Sequence, residues 1–278
     1  MSGQLTEADW IWKDGDFIPW EDAGVHLLSL AVQFGSSVFE GIRCYATPEG
    51  PSIFRLDAHI RRLFDSCKIY RMDPGHTPEE IRRACRAAVR KNGLDECYIR
   101  PMVLRGYGAA GLNPVGSPVE TYLPCWPWGE YLGEGALEKG VDVCVSTWQR
   151  PRPNTFPVRA KAAGHYNNAQ LIKMEAVENG YSEAIVVGPD GVVSEGGGQN
   201  VFLVQDGDLV TPAMDGSALP GITRDAVITL AEDLEIPVRE ETVPRERLYT
   251  ADELFFTGTA TEVTPIRSVD GITVGEGE

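Results

Sequence analysis

The lysine at position 161 stands in the run Arg159-Ala160-Lys161-Ala162-Ala163-Gly164-His165-Tyr166, and it is one of only six lysines in 278 residues. Its neighbours are alanines and a glycine, which leave room for a bulky group beside the amine. A lysine amine becomes a nucleophile towards aldehydes when burial or nearby positive charge disfavours its ammonium form. The other five lysines read as solvated residues near turns or on helix faces. Taken alone, the octapeptide reads more readily as an ordinary loop lysine between a strand and a helix.

Three further segments bear on that lysine. Ser194-Glu195-Gly196-Gly197-Gly198-Gln199-Asn200 falls between two strand-like runs. Its three glycines let the backbone approach a flat ligand, and Glu195 could accept a hydrogen bond from a protonated ring nitrogen. Standing alone, the same segment is a flexible hairpin tip with an exposed acid. In Leu219-Pro220-Gly221-Ile222-Thr223-Arg224-Asp225 a glycine opens a helix. Its first N–H groups would point outward to where a phosphate could sit, and Thr223 adds a hydroxyl. A plain helix start is equally common. Phe256-Thr257-Gly258-Thr259-Ala260-Thr261-Glu262 is a strand running into a small, hydroxyl-rich turn, suited to phosphate or carboxylate or simply a turn. Together they meet the demands of an aldehyde cofactor with a ring nitrogen and a phosphate, as pyridoxal 5′-phosphate has. No metal site is expected.

These segments must be held by the surrounding elements. Ile53 to Leu56 reads as a short strand, followed from Asp57 by a helix with Ile60, Leu63, Phe64 and Cys67 on one face. Thr77-Pro78-Glu79-Glu80 predicts a capping box with proline at the first helical position, and that helix stops at Asn92-Gly93. Tyr98 to Leu104 and Val119 to Cys125 read as strands around a glycine-rich loop at Gly106 to Pro114. Pro124-Cys125-Trp126-Pro127-Trp128-Gly129 marks the domain boundary. We expect a small N-terminal domain over residues 1–125, an interdomain loop over 126–138 and a larger domain over 139–278. In the latter, strands at Val141 to Thr147, Glu183 to Val187 and Val201 to Gln205 alternate with Asp-Gly turns. Helices are expected over Asn167 to Glu178 and from Ile222. The class is α+β or mixed α/β in two domains.

A chain of this length, with 42% hydrophobic and 24% charged residues, has the composition of a folded soluble protein. The net charge of −16 disfavours non-specific binding to nucleic acid or anionic membranes. Six scattered cysteines without a Cys-x-x-Cys pair, and no visible signal peptide or spanning segment, point to a reducing, cytoplasmic setting.

Order and sequence resemble the branched-chain amino acid aminotransferases, of the type IV fold among pyridoxal-phosphate enzymes. The resemblance runs from Trp20 to Gly271. It is carried by Ser37-Val38-Phe39-Glu40-Gly41-Ile42-Arg43-Cys44-Tyr45, His59-Ile60-Arg61-Arg62-Leu63, Pro153-Asn154-Thr155, Ala160-Lys161-Ala162, Ser194-Glu195-Gly196 and Leu219 to Asp225. It implies a small α/β domain and a larger pseudo-barrel domain. Lys161 would be the Schiff-base lysine and proton carrier, Tyr166 the partner of the ring's phenolic oxygen, and Glu195 the partner of its nitrogen. Arg62, Ile222 and Thr223 after Gly221, and Thr259 after Gly258, would hold the phosphate. Leu219 would pack on a ring face near Gly198, and His59 would be structural.

The resemblance also implies a substrate pocket. Phe39, Trp128 and Tyr131 would receive leucine, isoleucine and valine side chains, next to Gly41. Tyr98, Thr259 and the Ala260 backbone would take the α-carboxylate, and Arg100 the distal carboxylate of glutamate. Leu112 would reach into a neighbouring subunit, making a homodimer the minimum unit. The partners are then amino acids and 2-keto acids, in ping-pong transfer to 2-oxoglutarate. Phe34 stands where the family usually has tyrosine, Gln199 replaces a usual glutamate, and the sequence ends before the family's C-terminal helix. D-amino acid or (R)-amine aminotransferases and aminodeoxychorismate lyase share the fold, and a non-catalytic phosphate-ligand-binding protein is the alternative of another class.

Overall fold

The computed structural model describes residues 5–129, 131–133, 135–214 and 216–276. They form two compact units, one up to Gly129 together with Ala160–Gly164, the other from there to Arg159 and from His165 onward.

In the first unit, β1 (Trp10–Lys13), β2 (Asp16–Pro19), α1 (Leu30–Phe34), β3 (Ser37–Phe39), β4 (Ile42–Thr47) and β5 (Gly50–Ile53) precede two helices. These are α2 (Leu56–Ile69) and α3 (Pro78–Lys91), followed by β6 (Cys97–Ile99), β7 (Met102–Arg105), β8 (Val119–Leu123) and β9 (Cys125–Trp126). The capping box forms as the sequence predicts: Glu80 N–H donates to the Thr77 hydroxyl, and the Glu80 carboxylate accepts from Thr77 N–H at 2.7 Å. Such a cap stabilises a helix by about 1 kcal/mol. Apolar side chains at helical spacing bury Ile60, Leu63 and Cys67 of α2, and Ile81, Cys85 and Ala88 of α3. They join one core with Val38, Ile42, Ile99, Val103 and Leu123 from the strands.

Three expected elements differ. Ile53 closes β5, and the chain turns at Arg55, in the left-handed region at φ 50°, so that Leu56 already belongs to α2. The expected strands Tyr98 to Leu104 and Val119 to Cys125 each divide in two. The order β2-β1-β8-β7-β3 makes one sheet and β5-β4-β6-β9 another, so β6/β7 and β8/β9 change sheets where Pro101 and Pro124 interrupt them. Proline lacks the N–H that a continuing ladder needs. The chain also changes sheets between β3 and β4, at Glu40-Gly41. Arg100 N–H donates to Pro124 O and Glu40 N–H to Pro101 O, at 2.9 Å each, which ties the three crossings together.

In the second unit, α4 (Ala136–Lys139) leads to β10 (Val141–Val145), α5 (Tyr166–Glu178), β11 (Glu183–Val187), β12 (Val193–Gly196), β13 (Asn200–Gln205) and β14 (Asp208–Pro212). Then come α6 (Ile222–Asp233), β15 (Val238–Glu241), β16 (Glu253–Gly258), β17 (Glu262–Val269) and β18 (Ile272–Thr273). Eight strands run in the order β12-β11-β10-β17-β16-β13-β14-β15, and β18 pairs with β17. Its parallel and antiparallel pairs enclose Val143, Ile185, Val201, Leu203, Phe256 and Val269. The Asp206-Gly207 turn closes the β13–β14 hairpin with both residues at positive φ.

Ala160–Gly164, inside the expected 139–278 domain by sequence, is grouped with the first unit by its contacts. Phe39 N–H donates to Lys161 O at 3.0 Å, and Val38 bridges Ala162. At Gly35, with φ 65°, an added Cβ would stand 3.2 Å from Gly164 Cα, so both the backbone angle and the close approach favour glycine there.

Candidate active site

In the first unit, the sheet crossings and α2 converge on Lys161. Its backbone N–H donates to the Ser66 hydroxyl at 3.0 Å, and that hydroxyl donates to Arg62 O at 2.8 Å. The amine lies 5.2 Å from the centroid of the Phe39 ring. Arg62 is not the solvated charge that an amphipathic helix would suggest. Its Nε and Nη2 donate to the two Glu40 oxygens at 2.6 and 2.8 Å. Glu40 is fully buried, and His59 Nδ1 lies 2.7 Å from its Oε2. Burial alone would raise the Glu40 carboxyl, but the charge and hydrogen bonds of Arg62, then of His59, outweigh it and hold it well below the usual carboxylate range. Burial pushes His59 down despite Glu40. A neutral His59 therefore donates Nδ1–H to an ionised Glu40. Glu40 has no expected role from the sequence, although it lies within a quoted motif.

Arg100 sits in an aromatic cage. Its guanidinium carbon is 4.9 Å from the Phe39 centroid, 5.1 Å from Tyr98 and 5.8 Å from Trp126. Its Nη2 donates to Tyr98 Oη at 3.3 Å, while the buried Nε has no protein acceptor. Tyr98 stacks on Trp128 with centroids 4.8 Å apart. At Gly41 an added Cβ would stand 1.8 Å from Tyr98 Oη, so glycine there makes room for the tyrosine. Trp126, facing Tyr98 across β6–β9, is a cage member that the sequence reading leaves out. Phe34 is half exposed at the end of α1, and Leu112 lies exposed in the glycine-rich loop.

In the second unit, Glu195 on β12 is buried, not an exposed hairpin acid. Arg150 Nε pairs with its Oε1 at 2.9 Å, and Leu219 N–H donates to its Oε2 at 3.1 Å. Leu219 O in turn accepts from Asn200 Nδ2 at 3.0 Å. Gly198 N–H donates to Gln199 Oε1, whose amide nitrogen donates to Glu183. Tyr166 opens α5 after a short turn at Ala163–His165.

Gly221 is the N-cap of α6, ahead of Ile222 and Thr223, and no side chain caps its first N–H groups. A Cβ at Gly221 would stand 1.9 Å from Asn200 Oδ1, and one at Gly258 would stand 2.8 Å from Thr261 Oγ1 and 3.7 Å from Gln199 Cγ. The helix start and the β16–β17 turn thus flank the same end of β13. Thr257 Oγ1 near the end of β16 and Thr261 Oγ1 in the turn are buried without partners, the latter beside Thr259 and Ala260, and Glu262 at the start of β17 holds a φ of 55°. An uncapped helix start and two orphaned hydroxyls at a glycine cradle suit an anion such as phosphate. With a buried acid linked to them through Leu219, these donors fit pyridoxal 5′-phosphate. Tyr131 lines a small hollow with Ala136, Ala260 and Thr264.

A model of the family described as "Amino-transferase class IV" matches residues 37–269. The chain belongs to the class IV aminotransferases. Among relatives of this aminotransferase, the branched-chain-amino-acid aminotransferase of Escherichia coli strain K12 is 51% identical over 98% of this chain and 88% of its own length. That of Pseudomonas aeruginosa strain PAO1 is 45% identical over 96% and 87%. The crystal structure of the E. coli branched-chain amino acid aminotransferase superposes with a TM-score of 0.96, at 51% identity, covering 98% of this chain and 90% of that one. The branched-chain amino acid aminotransferase from Thermobaculum terrenum, in its PLP-form (holo-form), gives 0.88 at 37% identity, covering 96% and 88%. The two-domain mixed α/β class expected from the sequence is that of these aminotransferases.

Proposed function

We propose that this aminotransferase moves the amino group of L-leucine, L-isoleucine or L-valine to 2-oxoglutarate, using pyridoxal 5′-phosphate. The carrying observation is the Glu195 carboxylate, buried and held at both oxygens, beside an uncapped helix start. A phosphate binder needs the helix start but not the acid. The relatives named above carry the substrate class.

When bound, the cofactor supplies an electron-withdrawing ring that stabilises negative charge developing at the substrate Cα. Lys161 Nζ takes the proton from that Cα and returns one to the Cα of the amino acid formed in the second half-reaction. Glu195 retains the proton on the ring nitrogen, and Tyr166 donates to the phenolic oxygen. Arg62, the N–H groups of Ile222 and Thr223, and the Thr259 hydroxyl hold the phosphate through charge-assisted bonds. Leu219 and Gly198 border the ring.

Phe39, Trp128 and Tyr131 accept the apolar side chain. Tyr98 Oη and Ala260 N–H orient the α-carboxylate. Arg100 binds the distal carboxylate of glutamate, which lets one pocket serve both substrates. Exposed Leu27, Val32, Phe34, Leu112 and Val115 on the first unit support a homodimer. Six buried free thiols, and no described helix long and apolar enough to cross a membrane, accord with a cytoplasmic enzyme.

Phe34 favours a second activity towards amines, because the side chain there carries no hydroxyl. A panel of L-leucine, D-alanine and (R)-1-phenylethylamine, each with 2-oxoglutarate, tests the reading. L-leucine is expected to be the best donor and to shift the visible absorption band. Preference for either of the others overturns the substrate class.

A further inference from the structure

Arg150 has no role in the reaction described above, yet it is a buried cation of the second unit with several partners. Only 9% of its side chain is exposed, and its Nε lies 2.9 Å from Glu195 Oε1. Its Nη2 donates to Gly196 O at 2.9 Å and to Gly197 O at 2.8 Å, and its Nη1 to Asn168 Oδ1 at 3.2 Å. Its own N–H is fixed to Val187 O of β11 at 3.1 Å. One guanidinium thus hydrogen-bonds the two carbonyls that follow Glu195 in sequence and ion-pairs with the Glu195 carboxylate, its Nε close to Oε1 without the alignment of a hydrogen bond. Guanidinium is planar and permanently charged, so this fork both aims and polarises what it holds.

A purely structural clamp on a glycine turn needs only the two carbonyl contacts. The third contact falls on the acid. An isolated buried carboxylate takes up a proton to escape its desolvation cost. A protonated Glu195 would offer a neutral partner to the ring nitrogen in place of a counter-ion. Leu219 N–H donates to Glu195 Oε2, and burial foremost, with the charge of Arg150, pushes His165 down to about 4. His165 is therefore neutral at physiological pH, and the cation seen to pair with Glu195 is Arg150.

We propose that Arg150 is the positioning residue for Glu195: it keeps that carboxylate ionised in its buried site and fixes its orientation towards the cofactor ring. The proposal rests on reading Glu195 as the ring nitrogen's partner. It gives Arg150 a specific effect on rate. Cα acidity depends on a protonated ring, so loss of Arg150 lowers kcat more than it raises KM.

The test uses full-length protein bearing Arg150→Gln, Arg150→Lys, Glu195→Gln or Arg150→Gln/Glu195→Gln. Infrared difference spectra of the cofactor-free proteins at neutral pH report protonated carboxyl groups. Steady-state kinetics with L-leucine and 2-oxoglutarate report the loaded enzymes. Arg150→Gln is expected to gain a protonated-carboxyl band that the double variant lacks. Its kcat should fall on the order of tenfold or more, the scale of one pKa unit, with KM little changed. Arg150→Lys should lack the band, because it keeps the charge, and should still lose kcat severalfold, because one ammonium cannot hold the acid and both carbonyls. A folded Arg150→Gln without the band, or with wild-type kcat, overturns the proposal. Should the glutamine variant not fold, the lysine variant decides: a band in it, or wild-type kcat, overturns the proposal equally. Failure of the underlying reading looks different, because Glu195→Gln alone would then keep wild-type kcat.

Discussion

The backbone N–H of Lys161 donates to the Ser66 hydroxyl at 3.0 Å, and through it Lys161 is tied to the same helix that carries Arg62. Ser66 is completely buried, so its hydroxyl has no water to fall back on. Ser66→Ala removes the acceptor of the Lys161 N–H, and losing one partner of a buried hydrogen bond costs about 1–3 kcal/mol. Thermal unfolding should show that loss. Turnover should fall severalfold, since a lysine displaced by fractions of an ångström no longer meets Cα squarely.

Glu40 holds Arg62 with two short bonds and accepts a third from His59. Glu40→Gln removes the buried carboxylate that pairs with Arg62, and breaking a buried pair costs roughly 3–5 kcal/mol. The carboxyl is held below its ordinary value, so its stabilisation is present above the unfolded-state pKa and is lost as pH falls through the folded one. Wild type and variant should therefore differ widely at neutral pH in chemical denaturation and converge only in strong acid. Equal stability at pH 7 would contradict this.

Arg100 lies in an aromatic cage, and under the proposed function it takes the acidic substrate into an otherwise apolar pocket. Hydrogen bonds to a charged group are worth about 1.5–3 kcal/mol, so Arg100→Leu should raise KM for 2-oxoglutarate roughly 10- to 100-fold. The single-turnover reaction with L-leucine should change far less. Equal losses in both halves would remove Arg100 from the distal-carboxylate role.

The fold was legible where periodicity was uninterrupted. The capping box at Thr77, the hairpin at Asp206-Gly207 and β11 at Glu183–Val187 lie where composition places them. The division of the strand around Pro101 was not legible as a change of sheet, because the switch is decided by which strand offers a ladder, and that is a tertiary matter. Lys161, Glu195 and Gly221 each have an ordinary reading alone, and could be singled out only by their combination and by the family resemblance. Glu40, Arg150 and Trp126 could not. They are ordinary residue types whose roles come from partners 22, 45 and 28 positions away in sequence, at Arg62, Glu195 and Tyr98.

His165 is lowered to about 4, by burial foremost and then by Arg150. Unfolded, it takes a proton near its ordinary 6.5; folded, it does so only near 4. Between those values the unfolded chain binds more protons, so stability falls as pH drops through that window. His165→Gln should flatten this part of the stability profile measured by urea unfolding. An unchanged acid limb would assign the loss to other groups.

Lys161→Ala tests the central claim most directly. The variant should fold and bind pyridoxal 5′-phosphate through the remaining contacts, while multiple turnover of L-leucine with 2-oxoglutarate, followed by glutamate formation, falls below detection. Appreciable glutamate formation by that variant would contradict the assignment of Lys161 as the group that moves the proton.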